Sequence, residues 1–138
     1  DLFKPLNKED DHHWKTLRIP KEKNQKEFDE NILSLTKILI DSLNEDRMEK
    51  EVGHLKEERS ISLLERYLKE KHNINSSQII SFLKDIQNLR SKGSAHRKGE
   101  DFSKFYAKYD KGDFSKTFEE ILIGIIKCLN TIENKTLS

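Results

Sequence analysis

One cysteine, one tryptophan, one methionine, one valine and two prolines are all that 138 residues supply of those types. A lone Cys128 excludes an intrachain disulfide and fits a reducing compartment. With so little valine, no sustained alternation of apolar and polar residues, and no Asn-Gly or Asp-Gly turn, there is little to build a sheet from. No apolar run approaches the ~20 residues of a membrane span. No Gly-rich phosphate loop, Walker pattern or CxxC pair occurs. The net charge is only +1, from 26 basic and 25 acidic residues, which excludes a globally basic nucleic-acid binder and leaves room only for a local basic patch. No basic and then apolar leader opens the chain, and it starts at Asp1 rather than methionine. The expectation is a cytoplasmic protein without membrane contact, and a segment of a larger parent.

What is present is charge and a limited set of apolar residues. Charged residues make up 37%, against a usual ~25%. Leu, Ile, Val and Phe together number 38 of 138, well above the roughly 20% below which chains tend to stay disordered. One folded domain with a thin core is expected.

Residues 1–24 hold both prolines, Pro5 and Pro20, and no helical or strand period, so they are expected to form an extended arm or linker. From residue 25 to 138 the period is helical. Phe28, Ile32, Leu35, Leu39 and Leu43 predict a helix over about 25–44. Met48, Val52 and Leu55 predict one over 45–57, with Gly53 as a break, and Ile61, Leu64 and Leu68 one over 60–71. Ser76 or Asn75 caps the next, whose stripe runs through Ile79, Ile86 and Leu89 to an end near Arg90, with Gly93 behind it. Phe102, Phe105, Tyr106 and Tyr109 predict a short helix. Asp113 or Ser115 caps a last one through Phe118, Ile121, Ile125 and Ile132. The fold class is all-α, an antiparallel bundle of four to five helices.

Arg90 and His96, with five residues between them at the end of the third long helix, form the constellation with chemical content. RNA carries its own nucleophile in the 2′-hydroxyl. A histidine titrating near ~6.5 can take or return that proton, while an arginine keeps its charge and offers a planar fork to the phosphoryl oxygens. Spacing alone is unspecific, since Arg66 and His72 also have five residues between them, and Arg47 and His54 have six. Context separates the first pair. Gly93, Ser94 and Ala95 permit close approach of a phosphate, and residues 90–111 hold seven basic against three acidic residues. Lys92, Ser94, Arg97, Lys98 and Lys104 are the candidate nucleic-acid contacts there. The interleaved aromatics are either core or a stacking platform for unpaired bases.

In helix order over about 25–134, and in this Arg–x5–His motif, the chain resembles the HEPN superfamily of helical-bundle ribonucleases. The resemblance implies metal-independent RNA cleavage, with Arg90 and His96 as catalytic residues, no cofactor, single-stranded RNA as partner, and a homodimer in which two motifs face each other. It also implies a place in bacterial defence, toxin or stress systems. The residue after the arginine, commonly Asn, Asp or His in the family's nucleases, is Ser91 here. The alternatives are a non-catalytic helical dimerisation or binding domain, and an Arg90 that merely compensates a helix C-terminus.

Asp10, Asp11, His12 and His13 are metal-ligand types, but adjacent residues in an arm seldom converge on an ion, so no metal site is expected and the cluster reads as solvated. Trp14, Leu17 and Ile19 would pin the arm. His54 and His72 read as surface residues, and Cys128 as a small core hydrophobe.

Overall fold

The computed structural model describes residues 2–10, 12–13, 17, 25–93, 107–109 and 112–136. Among the described residues five helices carry the fold: α1 (Gln25–Leu39), α2 (Glu45–Val52), α3 (Ser60–His72), α4 (Ser77–Gly93) and α5 (Phe114–Thr136). Among the described residues there is no strand, only an isolated bridge between Phe3 and Leu43. The protein is an all-α bundle, as its sequence periods require.

The apolar stripes of the sequence are the core. Phe28, Ile32 and Leu35 of α1, Leu64 and Leu68 of α3, Ile86 and Leu89 of α4, and Phe118 and Ile121 of α5 are all buried. Each such side chain contributes about 1.5–3 kcal/mol when taken fully out of water. The start of α1 meets the start of α5 through Phe28, whose ring lies 5.1 Å from Phe114 and 6.3 Å, edge-on, from Phe118. Midway along α5, Gly124 admits the ring of Phe82 from α4. A Cβ at that position would lie 2.6 Å from the ring.

Helix ends follow local chemistry. Asn44 caps α2, its Oδ1 accepting from Arg47 N at 3.2 Å, with Glu45 and Asp46 suitably placed in the first turn. Gly53, at φ 83°, stops that helix five residues before the expected boundary at 57. Asn73 takes the left-handed conformation after α3, and Ile74 N returns to Leu68 O at 2.9 Å, so a Schellman turn buries Ile74. At α4, Asn75 Oδ1 rather than the Ser76 hydroxyl takes a backbone amide, that of Ser77. Ser76 Oγ is buried with no hydrogen-bond partner. Asp113 caps α5, accepting from Lys116 N at 2.8 Å.

Two boundaries differ from the sequence reading. α1 ends at Leu39, not near 44, because the following turn pairs with the N-terminal segment: Lys4 N donates to Ser42 O and Asn44 N to Leu2 O, both at 2.7 Å. Ile40 and Leu43 stay buried in the turn. α4 continues past Arg90 to Gly93. The short helix expected over 102–109 falls mostly outside the described residues, and positions 108 and 109 are a turn.

Candidate functional site

Arg90 sits in the closing turns of α4 with its side chain about one-third exposed. Its Nη1 lies 3.6 Å from Asp41 Oδ2, in the turn after α1, and the same carboxylate oxygen lies 3.3 Å from Lys37 Nζ. One shared, half-open carboxylate orients the guanidinium without occupying its five donors. Lys92 follows in the last turn of α4. His96, Ser94, Arg97, Lys98 and Lys104 lie outside the described residues, as do Phe102, Phe105 and Tyr106.

In the competing pairs, Arg66, His72 and His54 have partners of their own. Arg66 is fully engaged. Its Nε and Nη2 each donate to Glu58 at 2.9 Å, Nη2 also to Gly53 O at 2.6 Å, and Nη1 to Glu70 at 3.1 Å and to Val52 O. All five N–H groups are used, and the guanidinium closes the C-terminal carbonyls of α2. These bonds hold the Glu58 carboxyl below its ordinary range and raise Arg66 further above its own. His72 does not approach Arg66 in function: its ring is hydrogen-bonded to the Tyr67 hydroxyl at 3.2 Å. His54 is exposed and donates to Glu49 at 3.0 Å.

An open groove of about 560 Å³ runs beside Asp41, between the α1–α2 turn, the start of α3 and the outer face of α4. Its charged lining is Asp41, Glu45, Glu58, Arg59 and Lys84, with Gln87 and Asn88 next to them. Three carboxylates against two cations do not make a trough for phosphates.

On the other side of α4, Asp85 faces inward from a stripe otherwise apolar and is 8% exposed. Lys108 Nζ donates to both its oxygens at 3.1 and 3.2 Å, and the Tyr109 hydroxyl to Oδ2 at 2.6 Å. Burial, and then the bond to Asp85, pushes the Tyr109 hydroxyl well above its ordinary pKa. The Tyr109 ring meets Phe82 edge-on at 5.9 Å. Tyr109 is therefore a packing residue, and Lys108, counted within the basic segment, is neutralised by Asp85. The sequence signal for this anchor was a carboxylate among Phe82, Leu83, Ile86 and Leu89, a position that demands a partner.

The N-terminal segment also departs from expectation. His13 is not solvated: it is buried, with Nδ1 2.8 Å from Ser34 Oγ on α1. Burial first, then His12 at a ring distance of 4.0 Å, lowers its pKa, against a weaker opposing pull from Asp10. Leu17 packs against the core. Trp14 and Ile19 lie outside the described residues. Among the described residues no group of three or more His, Cys, Asp or Glu side chains is placed to hold a metal ion. Cys128 is half-buried, and burial raises its thiol pKa, the opposite of an activated nucleophile. No helix, among the described residues, is long and apolar enough to cross a membrane.

Comparison of the chain with protein-family models, with curated proteins and with solved structures finds no match.

Proposed function

We propose that this chain is a HEPN-like RNA-processing domain that cleaves single-stranded RNA without a metal. His96 takes the proton of a 2′-hydroxyl, whose oxygen attacks the adjacent phosphorus. The 5′-oxygen leaves and receives a proton, giving a 2′,3′-cyclic phosphate and a free 5′-hydroxyl. Arg90 neutralises the charge that builds on the phosphoryl oxygens. Lys92, Ser94, Arg97, Lys98 and Lys104 hold the flanking backbone, and a second copy supplies a second Arg90–His96 pair, as in the resembled family. A cytoplasmic role in a bacterial defence, toxin or stress system belongs to the same reading.

The observation that supports it best is the contrast among the three Arg–His spacings. Arg66 has every donor occupied inside the fold, and His54 and His72 have other partners. Among the described residues Arg90 is held by one carboxylate, at the start of a basic stretch of the chain. The test is incubation of purified protein with single-stranded RNA in chelator, beside folded Arg90→Ala and His96→Ala variants. Cleavage that requires both side chains and no metal is expected. Absence of cleavage in every buffer, or equal cleavage by all three proteins, overturns the reading.

A second reading is favoured by the internal pairing of Arg90 with Asp41 and of Lys108 with Asp85. Here the bundle is a dimerisation or nucleic-acid-binding domain of a larger protein, and RNA binding that weakens with salt but never leads to cleavage is the expected result.

A further inference from the structure

We propose that the outward face of α5 is a two-fold association surface that takes a second copy of this chain, antiparallel, about the Gly124–Ile125 bond. At 100° per residue, Lys116, Glu119, Glu120, Ile123, Ile126 and Lys127 share one side of the helix, opposite the buried Phe118, Ile121 and Ile125. Ile126 is 57% and Ile123 47% exposed, the two most exposed isoleucines among the described residues. Large apolar side chains at the centre of a charged helix face mark an unmet contact.

The order of charges says what covers it. Ile123 and Ile126 lie symmetrically about the Gly124–Ile125 bond, so an antiparallel copy sets Ile123 of each chain against Ile126 of the other. The same axis carries Glu120 to position 129, two residues or about 3 Å along the helix from Lys127 and within reach of a lysine side chain. Two-fold pairing therefore brings Glu120 of each copy to Lys127 of the other, twice, on the same flank. A face with one sign of charge would repel its own copy, whereas here Glu119 and Glu120 precede the centre and Lys127 follows it. The helix is about 34 Å long, enough to lay a continuous seam. With only two isoleucines per copy at its centre, the interface is small and the association weak, in the range where concentration decides the state.

This surface does not rest on the ribonuclease reading. α4 runs antiparallel to α5, since Phe82 meets Gly124 and the start of α4 borders the same groove as Thr131 and Lys135. Arg90, eight residues past Phe82, thus lies about 12 Å along α4 from the axis, and the pair carries its two Arg90 side chains toward opposite ends. A surface that joined two Arg90–His96 pairs would be a separate one, and a chain using both would assemble beyond a dimer.

The experiment is sedimentation velocity of the whole chain from micromolar to several hundred micromolar, with the helical circular dichroism of each variant recorded. Unaltered protein is expected to associate with rising concentration. Ile126→Asp and Ile123→Asp, both at exposed positions, should weaken association at least tenfold with the spectrum unchanged. Glu120→Lys and Lys127→Glu should each weaken it, and the double reversal should restore it. A chain that stays monomeric throughout, association indifferent to Ile126→Asp, or single reversals that the double reversal does not repair each overturn the proposal.

Discussion

Arg66, midway along α3, and Arg90, near the end of α4, are the same residue type on neighbouring helices, yet their surroundings differ in kind. Around Arg66 the α2–α3 hairpin closes on itself: five N–H groups find Glu58, Glu70 and the last carbonyls of α2. Around Arg90, among the described residues, the ion pair is one at 3.6 Å with a carboxylate that also serves Lys37. The first arrangement holds a turn in place. The second leaves a cation oriented and accessible, which is what a phosphate requires. The difference teaches that an Arg–x5–His spacing becomes informative only when the rest of the fold has, or has not, occupied its arginine.

The largest effect expected from breaking this contrast is on the hairpin. Arg66→Met leaves the Glu58 carboxylate and the Val52 and Gly53 carbonyls without their donor. Thermal unfolding followed by circular dichroism should show a fall of several degrees, larger than for any other substitution named in this section. Next comes the anchor behind α4. Asp85→Asn keeps the shape but replaces a charged acceptor for Lys108 and Tyr109, with an expected loss of about 1–2 kcal/mol in urea titration, and Tyr109→Phe about 1 kcal/mol.

A smaller effect is expected at the N-terminal segment. The pKa of His13 is depressed in the fold, so the unfolded chain binds its proton first as pH falls. The stability tied to its neutral form is complete above the unfolded value near ~6.5 and declines as pH drops through it toward the lower folded value. Denaturant midpoints at pH 7.5 and 5.5 should differ more for the unaltered chain than for His13→Gln, and an equal difference in both would remove His13 from the account. Smallest of all in stability is Arg90→Ala, at about 0.5 kcal/mol or less, because a half-exposed pair at 3.6 Å contributes little.

The elements themselves were legible because apolar residues at steps of three and four leave few alternatives. Phe28 to Leu39 and Phe118 to Ile132 read as helices and are helices. The cap at Asp113 and the break at Gly53 follow from local chemistry and stand where such chemistry puts them. What escaped was decided at long range. The end of α1 is set by backbone bonds from Leu2 and Lys4, some 40 residues away, and Tyr109 turned from a possible stacking platform to a packing residue through Asp85, 24 residues earlier. His13 looked like part of a solvated arm because nothing adjacent to it names Ser34. The site was half legible. The motif gave a pair of residue types with a reaction open to them, but Arg66 and His72 repeat its spacing, and only the fold shows that Arg66 is already occupied.

The most direct test of the central claim joins the two halves of the contrast at Arg90. Cleavage of single-stranded RNA in chelator is measured for the unaltered chain and for Arg90→Ala, at a temperature where both are folded. The account predicts that Arg90→Ala melts within a few degrees of the unaltered protein and cleaves about 10²-fold or more slowly. An unaltered chain that does not cleave, or an Arg90→Ala chain that cleaves as fast, contradicts it.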